Sequence, residues 1–224
     1  MLWNVPQAFL VLAVMRNEFV SSITEHQSLF DLKIPQDKIE QLADYFAIVQ
    51  EHNPILHLVG PCSGAEFATR HILESLTLLD FLPKATRFAD VGAGAGLPSI
   101  PCLLVRNDLQ ATLIESKIKK TDFLLKAAEQ LGIRNRVNVV DRQFEETDSR
   151  GHAAVTCRAL DKFVNKLPRL LKWAGKRDLL LFGGPSLRSA LEKQRLRFQE
   201  KLLPLSERRY LFIVRRAGND LSNG

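Results

Sequence analysis

Three glycines at alternate positions, Gly92, Gly94 and Gly96, follow directly on the short apolar run from Arg87 to Val91. No other feature constrains the chain as strongly. A backbone that turns at the end of a strand, with no side chain at three alternate residues, leaves room for a ligand to lie against the main chain. The spacing departs from the dinucleotide pattern GxGxxG, because the third glycine falls one residue early and Leu97 stands in its place. Nor is it a P-loop, since no Gly-Lys-Ser/Thr follows. An acid, Asp90, stands two residues before the first glycine.

The surroundings of the loop alternate between two periods. Arg87 to Val91, Ala111 to Glu115, Val137 to Asp141, Ala153 to Thr156 and Asp178 to Phe182 read as strands. Lys117 to Leu131 and Asp161 to Lys172 read as helices, the first stopped by Gly132 in the manner of a left-handed cap. This alternation implies an α/β fold with a doubly wound, mostly parallel sheet covered on both faces. Ser186 to Glu200 reads as a further helix, and Leu202 to Leu205 with Tyr210 to Val214 as a closing hairpin. Before Lys84 the pattern is helical. Ile39, Leu42, Ala43, Phe46 and Val49 set an amphipathic helix over 37–50, broken by Asn53-Pro54. A second helix over 65–79 is expected to bury Phe67, Ile72, Leu76 and Leu79. The expected organisation is an N-terminal extension (1–25), a helical cap (26–83), a Rossmann-like domain (84–216) and a tail (217–224).

With Asp90 ahead of it, the loop resembles the opening motif of the class I S-adenosylmethionine-dependent methyltransferases. A second acid supports the resemblance. Glu115 ends the next strand, 19 residues after Gly96, beside the loop at the switch point of such a sheet. A carboxylate there can accept hydrogen bonds from both hydroxyls of a ribose. Gln143 and Phe144 follow the third strand, where an amide can meet the edge of an adenine and an aromatic ring its face.

The resemblance narrows to one family. Asp90 to Pro101, DVGAGAGLPSIP, is similar to the DVGTGAGLPGIP signature of the RsmG (GidB) family, bacterial enzymes that methylate guanine N7 in small-subunit 16S ribosomal RNA. Arg70 to Ser75 resembles the family's RHILDS, Glu115 to Leu124 its DSxxKRxxFL, Thr156 to Ala159 its SRA, and Glu207 to Arg209 its ERH turn. The likeness runs from about Leu42 to Arg215. It implies S-adenosyl-L-methionine as cofactor, a site containing Asp90, Gly92, Gly94, Gly96, Leu97, Glu115, Gln143, Phe144 and Arg158, and 16S ribosomal RNA or the small-subunit particle as substrate. The chain departs from the family at His52-Asn53, at His57-Leu58-Val59, at Ser99, and at Gly183, where the family has lysine.

Guanine N7 has a free lone pair, so the reaction implied needs no general base. His71 is the candidate for orienting the base. Arg158, ending the fourth strand, could bond the cofactor's carboxylate or a substrate phosphate.

Charge sorts the remaining candidates. The formal charge of +6 is unevenly placed: residues 1 to 80 hold 4 basic and 10 acidic side chains, and residues 158 to 216 hold 16 and 5. An anionic partner is expected on the later part. Lys119 and Lys120 at the rim of the pocket, with Arg195, Arg197, Lys201 and Arg208, are the candidate RNA contacts. Cys62, Cys102 and Cys157 form no CxxC pair and support neither a disulfide framework nor a metal knuckle. The apolar run Ala8 to Met15 is too short for a membrane span, and Met15 is a second candidate translation start. A monomeric cytoplasmic enzyme is expected, without metal or membrane partner. Two other readings stay open: a methyltransferase of another RNA or a small molecule, and an RNA-binding relic without catalysis.

Overall fold

A computed structural model describes residues 7–158 and 162–216, with side chains from residue 11. Ala159 and Asp161, used above in a motif and a helix boundary, and the tail at 217–224 lie outside the described residues.

The chain opens with helix α1 (Gln7–His26) and, after a 3-10 turn, α2 (Gln36–Leu56). Helix α2 runs past the expected break, carrying Pro54 in its last turn and ending at His57 in the left-handed region, whose N–H donates to Asn53 O. A proline this close to the helix end removes one bond without breaking the turns before it. The next helical stretch is composite: α3 (Gly64–Glu66), a π-helical segment Phe67–Leu73, α4 (Glu74–Leu76) and a 3-10 turn Thr77–Phe81. Ser63 and Glu66 start it with a reciprocal capping box. Phe67, Ile72 and Leu76 are buried as expected, but Leu78 takes the place foreseen for Leu79. The cause is geometric, since a wide turn followed by a tight one shifts the buried face off a regular 3.6 period. Phe19 and Ile23 of α1 are fully buried, with Phe19 stacked on Phe46 at 5.0 Å. A Cβ on Gly64 would lie 2.0 Å from the Met15 carbonyl oxygen, so α1 and α3 cross backbone against backbone.

Strand β1 (Arg87–Val91) leads through the glycine loop into α5 (Ser99–Val105), then β2 (Gln110–Ile114), α6 (Ile118–Gln130), β3 (Val137–Val140), β4 (Ala154–Arg158), α7 (Phe163–Ala174), β5 (Asp178–Gly183), α8 (Pro185–Lys193), β6 (Gln199–Leu202) and β7 (Tyr210–Val214). Gly132 caps α6 at φ 68°, as expected. The sheet order is β3-β2-β1-β4-β5-β7-β6, parallel throughout except for β7, which runs against both β5 and β6. This is the doubly wound, mostly parallel sheet of the class I methyltransferases. One face packs with α1 to α6 into a single core, and the other packs with α7 and α8 into a second.

One element is corrected. The helix expected over 186–200 stops at Lys193, and Gln199–Leu202 forms the first strand of the hairpin. Arg195 turns the chain at φ 54°, and Arg188 on α8 then reaches Glu200 on β6 at 2.7 Å.

A candidate cofactor cleft at the strand ends

Strand β1 stops because Gly92 and Ala93 turn back, both donating their N–H to Ile114 O. All three glycines have positive φ: 73° at Gly92, 54° at Gly94 and 91° at Gly96. Their surroundings differ. A Cβ on Gly94 would meet nothing closer than Gly92 O at 3.7 Å, whereas one on Gly96 would lie 2.4 Å from Ile100 Cδ1 and 3.2 Å from Leu124. Gly94 thus keeps an open face, and Gly96 keeps the loop packed on α5 and α6. From below, Tyr45 on α2 donates to Ala95 O at 2.8 Å. Burial, reinforced by the nearby Asp90 charge, pushes the Tyr45 phenol well above its ordinary range, so it remains a donor. The Leu97–Pro98 peptide bond is cis.

Above the loop lies a cleft of about 570 Å³, within the size range of small-molecule sites. Seven of the nine cofactor residues expected from sequence line it: Gly92, Gly94, Leu97, Glu115, Gln143, Phe144 and Arg158. Glu115 is nearly buried. Its Oε2 accepts from Gly94 N–H at 3.0 Å and its Oε1 from Lys117 N–H at 2.9 Å, which fixes the carboxylate against the loop. Each oxygen keeps a further lone pair for a ligand hydroxyl. Phe144 forms a wall, supported edge-on by Trp173 at 5.8 Å.

Asp90 and Gly96 are not among the lining residues. Asp90 is fully buried beneath the loop, where Ser99 Oγ donates to its Oδ2 at 2.6 Å and Oδ1 has no partner among the described residues. Burial is the main cause that raises its pKa to about 7, helped by the Glu115 charge. Its place is under the ligand-facing backbone, because the side chains of successive strand residues alternate between faces.

Arg158 reaches the cleft from the end of β4 with its side chain only 13% exposed. Its guanidinium donates to Glu74 Oε2 at 3.0 Å and to Arg70 O, and lies over the Phe182 ring at 5.3 Å. Glu74 is itself 1% exposed and its other oxygen accepts from Arg209 at 2.7 Å. One buried carboxylate therefore ties β4, the composite helix and the β6–β7 turn together. His71 also lines the cleft, packed on Phe67, with Nδ1 buried and unpartnered among the described residues. Burial, then the charges of Arg158, Arg70 and Arg209, lowers its pKa to about 3, so the ring is neutral at physiological pH.

The RNA candidates separate. Lys120 lines the cleft, but Lys119 does not. Arg208 is exposed in the turn before β7, at the cleft end of the sheet, since Tyr210 pairs with Gly183 at the end of β5. Lys201 is held by Asp80 at 2.9 Å. Arg195 and Arg197 stand away from the cleft. They precede β6, whose Gln199 pairs with Ile213 next to the start of β5, so they lie at the end of the sheet opposite the cleft. Sequence reasoning also missed Arg142 and Lys166, which line the cleft from the turn after β3 and from α7. Arg142 directly precedes Gln143 and was within reach of the same argument, whereas Lys166 is brought in only by the fold. Among the described residues there is no group of three or more His, Cys, Asp or Glu that could hold a metal, and no helix is long and apolar enough to cross a membrane.

Comparison with known proteins agrees with this geometry. Residues 38–205 match the family model described as rRNA small subunit methyltransferase G, GidB. The ribosomal RNA small subunit methyltransferase G of Halorhodospira halophila is 35% identical over 181 residues, covering 80% of this chain and 81% of that protein. Its counterpart from Rhizorhabdus wittichii is 31% identical, covering 76% and 81%. Among solved structures, the ribosomal protein L11 methylase of Lactobacillus delbrueckii subsp. bulgaricus is similar with a TM-score of 0.53 at 15% identity, over 66% of this chain and 79% of that one. A protein of the NADB-Rossmann superfamily from Streptococcus agalactiae is similar with a TM-score of 0.52 at 17% identity, over 65% and 69%. At these identities the two structures share the fold alone.

Proposed function

We infer the function from one premise: this chain belongs to the rRNA small subunit methyltransferase G family, and it is an S-adenosylmethionine-dependent methyltransferase of ribosomal RNA. We propose that its target is N7 of a guanine in 16S RNA. The observation that carries the cofactor assignment is the carboxylate of Glu115 clamped to Gly94 N–H beside an open glycine face. Those residues fit the group. Glu115 presents lone pairs to a ribose, Gly94 lets the backbone approach closely, and Phe144 and Gln143 stand where an adenine would lie.

When bound, the cofactor supplies a methyl group on a sulfonium, already electrophilic enough to react with a ring nitrogen. The work left to this chain is positioning and exclusion of water. Guanine N7 gives up no proton on methylation, and the product base is cationic. His71 lines the cleft with a neutral ring and can orient such a base without adding charge beside it. Arg158 is fixed by Glu74, with donors left over for a carboxylate or phosphate. Lys120, Arg142 and Lys166 make the rim cationic, which suits the phosphates flanking a splayed-out nucleotide.

In this reading 84–216 is the catalytic domain and 26–83 its helical cap, and the enzyme acts as a cytoplasmic monomer. The test uses methyl-labelled S-adenosylmethionine with unmethylated 16S RNA and small subunits. Label should enter one guanine, mapped by reverse-transcription stops after chemical cleavage at N7-methylguanine. Label on another base would refute the N7 assignment, and label on a metabolite pool but on no RNA would favour a small-molecule substrate.

A further inference from the structure

The end of the sheet opposite the cleft carries a second concavity, a groove of about 330 Å³ at the N-terminal ends of β1, β2 and β3. Its lining is polar and basic: Arg87, Arg136, Arg150, His152, Asn135 and Asn138 are the residues that matter here. Arg87 donates to the neutral amide of Gln110, at 3.2 Å from Nε and 2.7 Å from Nη2. Arg136 donates to the carbonyls of Leu103 and Arg106. Neither forms a direct ion pair with a carboxylate among the described residues, although the Asp108 charge acts on Arg136 at longer range.

Three acids at this end are already engaged, while Glu129 and Glu192, in the last turns of α6 and α8, form no ion pair among the described residues. Asp108 pairs with Arg106, Asp148 with Arg150 and Asp178 with Arg215. Beyond the groove, Lys176 and Arg177 stand just before β5, and Arg195 and Arg197 just before β6; among the described residues no carboxylate pairs with these four. The positive charge thus runs along the whole edge of a seven-stranded sheet, about 29 Å at ~4.8 Å per strand spacing. Exposed asparagines among arginines suit an anion that also offers hydroxyl and ether oxygens, as a sugar-phosphate backbone does and a lone ion does not.

We propose that this groove is a second RNA-binding site, which takes the phosphodiester backbone of ribosomal RNA at a place distant from the methylated base. The proposal rests on the reading of the chain as a ribosomal RNA methyltransferase. The cleft rim would then hold the nucleotide, and the opposite end would grip a neighbouring part of the folded RNA and set the register. Such contacts add affinity without reading sequence.

Arg87→Gln with Arg150→Gln removes two exposed arginines. Asn135→Asp, also on an exposed residue, adds a negative charge and exchanges the amide donor for an acceptor with little change of size. Both variants are compared with the wild-type chain for binding to small subunits and 16S RNA across a salt series, for S-adenosylmethionine affinity by calorimetry, and for methyl transfer. The arginine pair is expected to weaken RNA binding roughly tenfold near physiological salt and to flatten the slope of log affinity against log salt by about 1 to 2. Asn135→Asp should shift affinity the same way by a smaller factor. Cofactor affinity and turnover at saturating RNA should not change. Variants that bind cofactor normally and keep wild-type RNA affinity and slope would overturn the proposal. A wild-type chain that binds RNA through the groove yet methylates none would overturn the assigned function and support the groove.

Discussion

At the scale of single residues, the glycines of the loop have separable roles. Gly94 and Gly96 share positive φ, so alanine strains the backbone at either place by roughly 1 kcal/mol. At Gly96 the new methyl also meets Ile100 and Leu124 in a closed core, adding an overpacking cost of about 1 to 3 kcal/mol. Gly96→Ala should lower the melting temperature clearly more than Gly94→Ala in parallel thermal scans. Gly94→Arg should do the reverse, leaving the fold near normal while filling the cleft. Calorimetry showing S-adenosylmethionine affinity intact in that variant would contradict the pocket. Asp90 makes a prediction in pH. Its carboxyl is raised to about 7 in the fold from the ordinary 3.8, mainly by burial. The folded state therefore holds a proton that the unfolded chain releases between those values. Its contribution to stability is full below pH 3.8 and is lost as pH rises through 7, at ~1.4 kcal/mol per unit of separation. His71 acts oppositely: lowered to about 3, it costs stability as pH falls from 6.5. Asp90→Asn removes the first effect alone, so denaturant titrations should show the variant gaining on the wild type between pH 4 and pH 8. A difference independent of pH would mean that Asp90 is ionised throughout.

At the scale of elements, regular periods were legible and departures from them were not. Five strands, α6 with its Gly132 cap and β7 follow from alternation and turn chemistry, whereas the first strand of the hairpin, expected over 202–205, lies at Gln199–Leu202. The composite helix does not, because nothing in Phe67–Leu73 marks a π turn, and the widening decides which residues face the cleft. It sends His71 to the cleft and Glu74 to Arg158 and Arg209. Sequence offered Arg158 as a partner for the cofactor's carboxylate or a substrate phosphate and did not find Glu74. The partner is 84 residues away, a separation that local patterns do not span. Glu74 therefore carries an element-level prediction. Glu74→Gln leaves two guanidiniums facing each other with no counter-charge, one of them largely buried, and breaking a buried pair this way costs about 3 to 5 kcal/mol, less here because Arg209 is 37% exposed. The melting temperature should fall by several degrees and cofactor affinity should fall with it as Arg158 loses its anchor. Adding Arg209→Gln should restore part of the stability, because the second uncompensated cation is gone. A double variant no more stable than the single one would show that Glu74 acts on Arg158 alone.

At the scale of the whole molecule, the charge asymmetry was visible in the sequence, but its direction in space was not. A run of basic residues from Arg158 to Arg216 suggested one face continuous with the pocket rim. The topology divides it, because each parallel strand begins at one end of the sheet and finishes at the other. Lys120, Arg142 and Lys166 stand at the cleft, while Arg177, Arg195 and Arg197 stand at the far end. Two groups of charges with no shared partner and a sheet between them should act independently on one large polyanion. Neutralising Lys120 and Lys166 should weaken RNA binding and slow methyl transfer, because these side chains flank the reacting nucleotide. Neutralising Arg177 and Arg195 should weaken binding with turnover at saturating RNA unchanged. In the combined variant the two losses in binding free energy should add to within about 0.5 kcal/mol, each set lowering the salt slope by its own share. Strong non-additivity would mean that the RNA meets only one end of the molecule at a time, and that the basic far end is an alternative landing surface and no part of the productive complex.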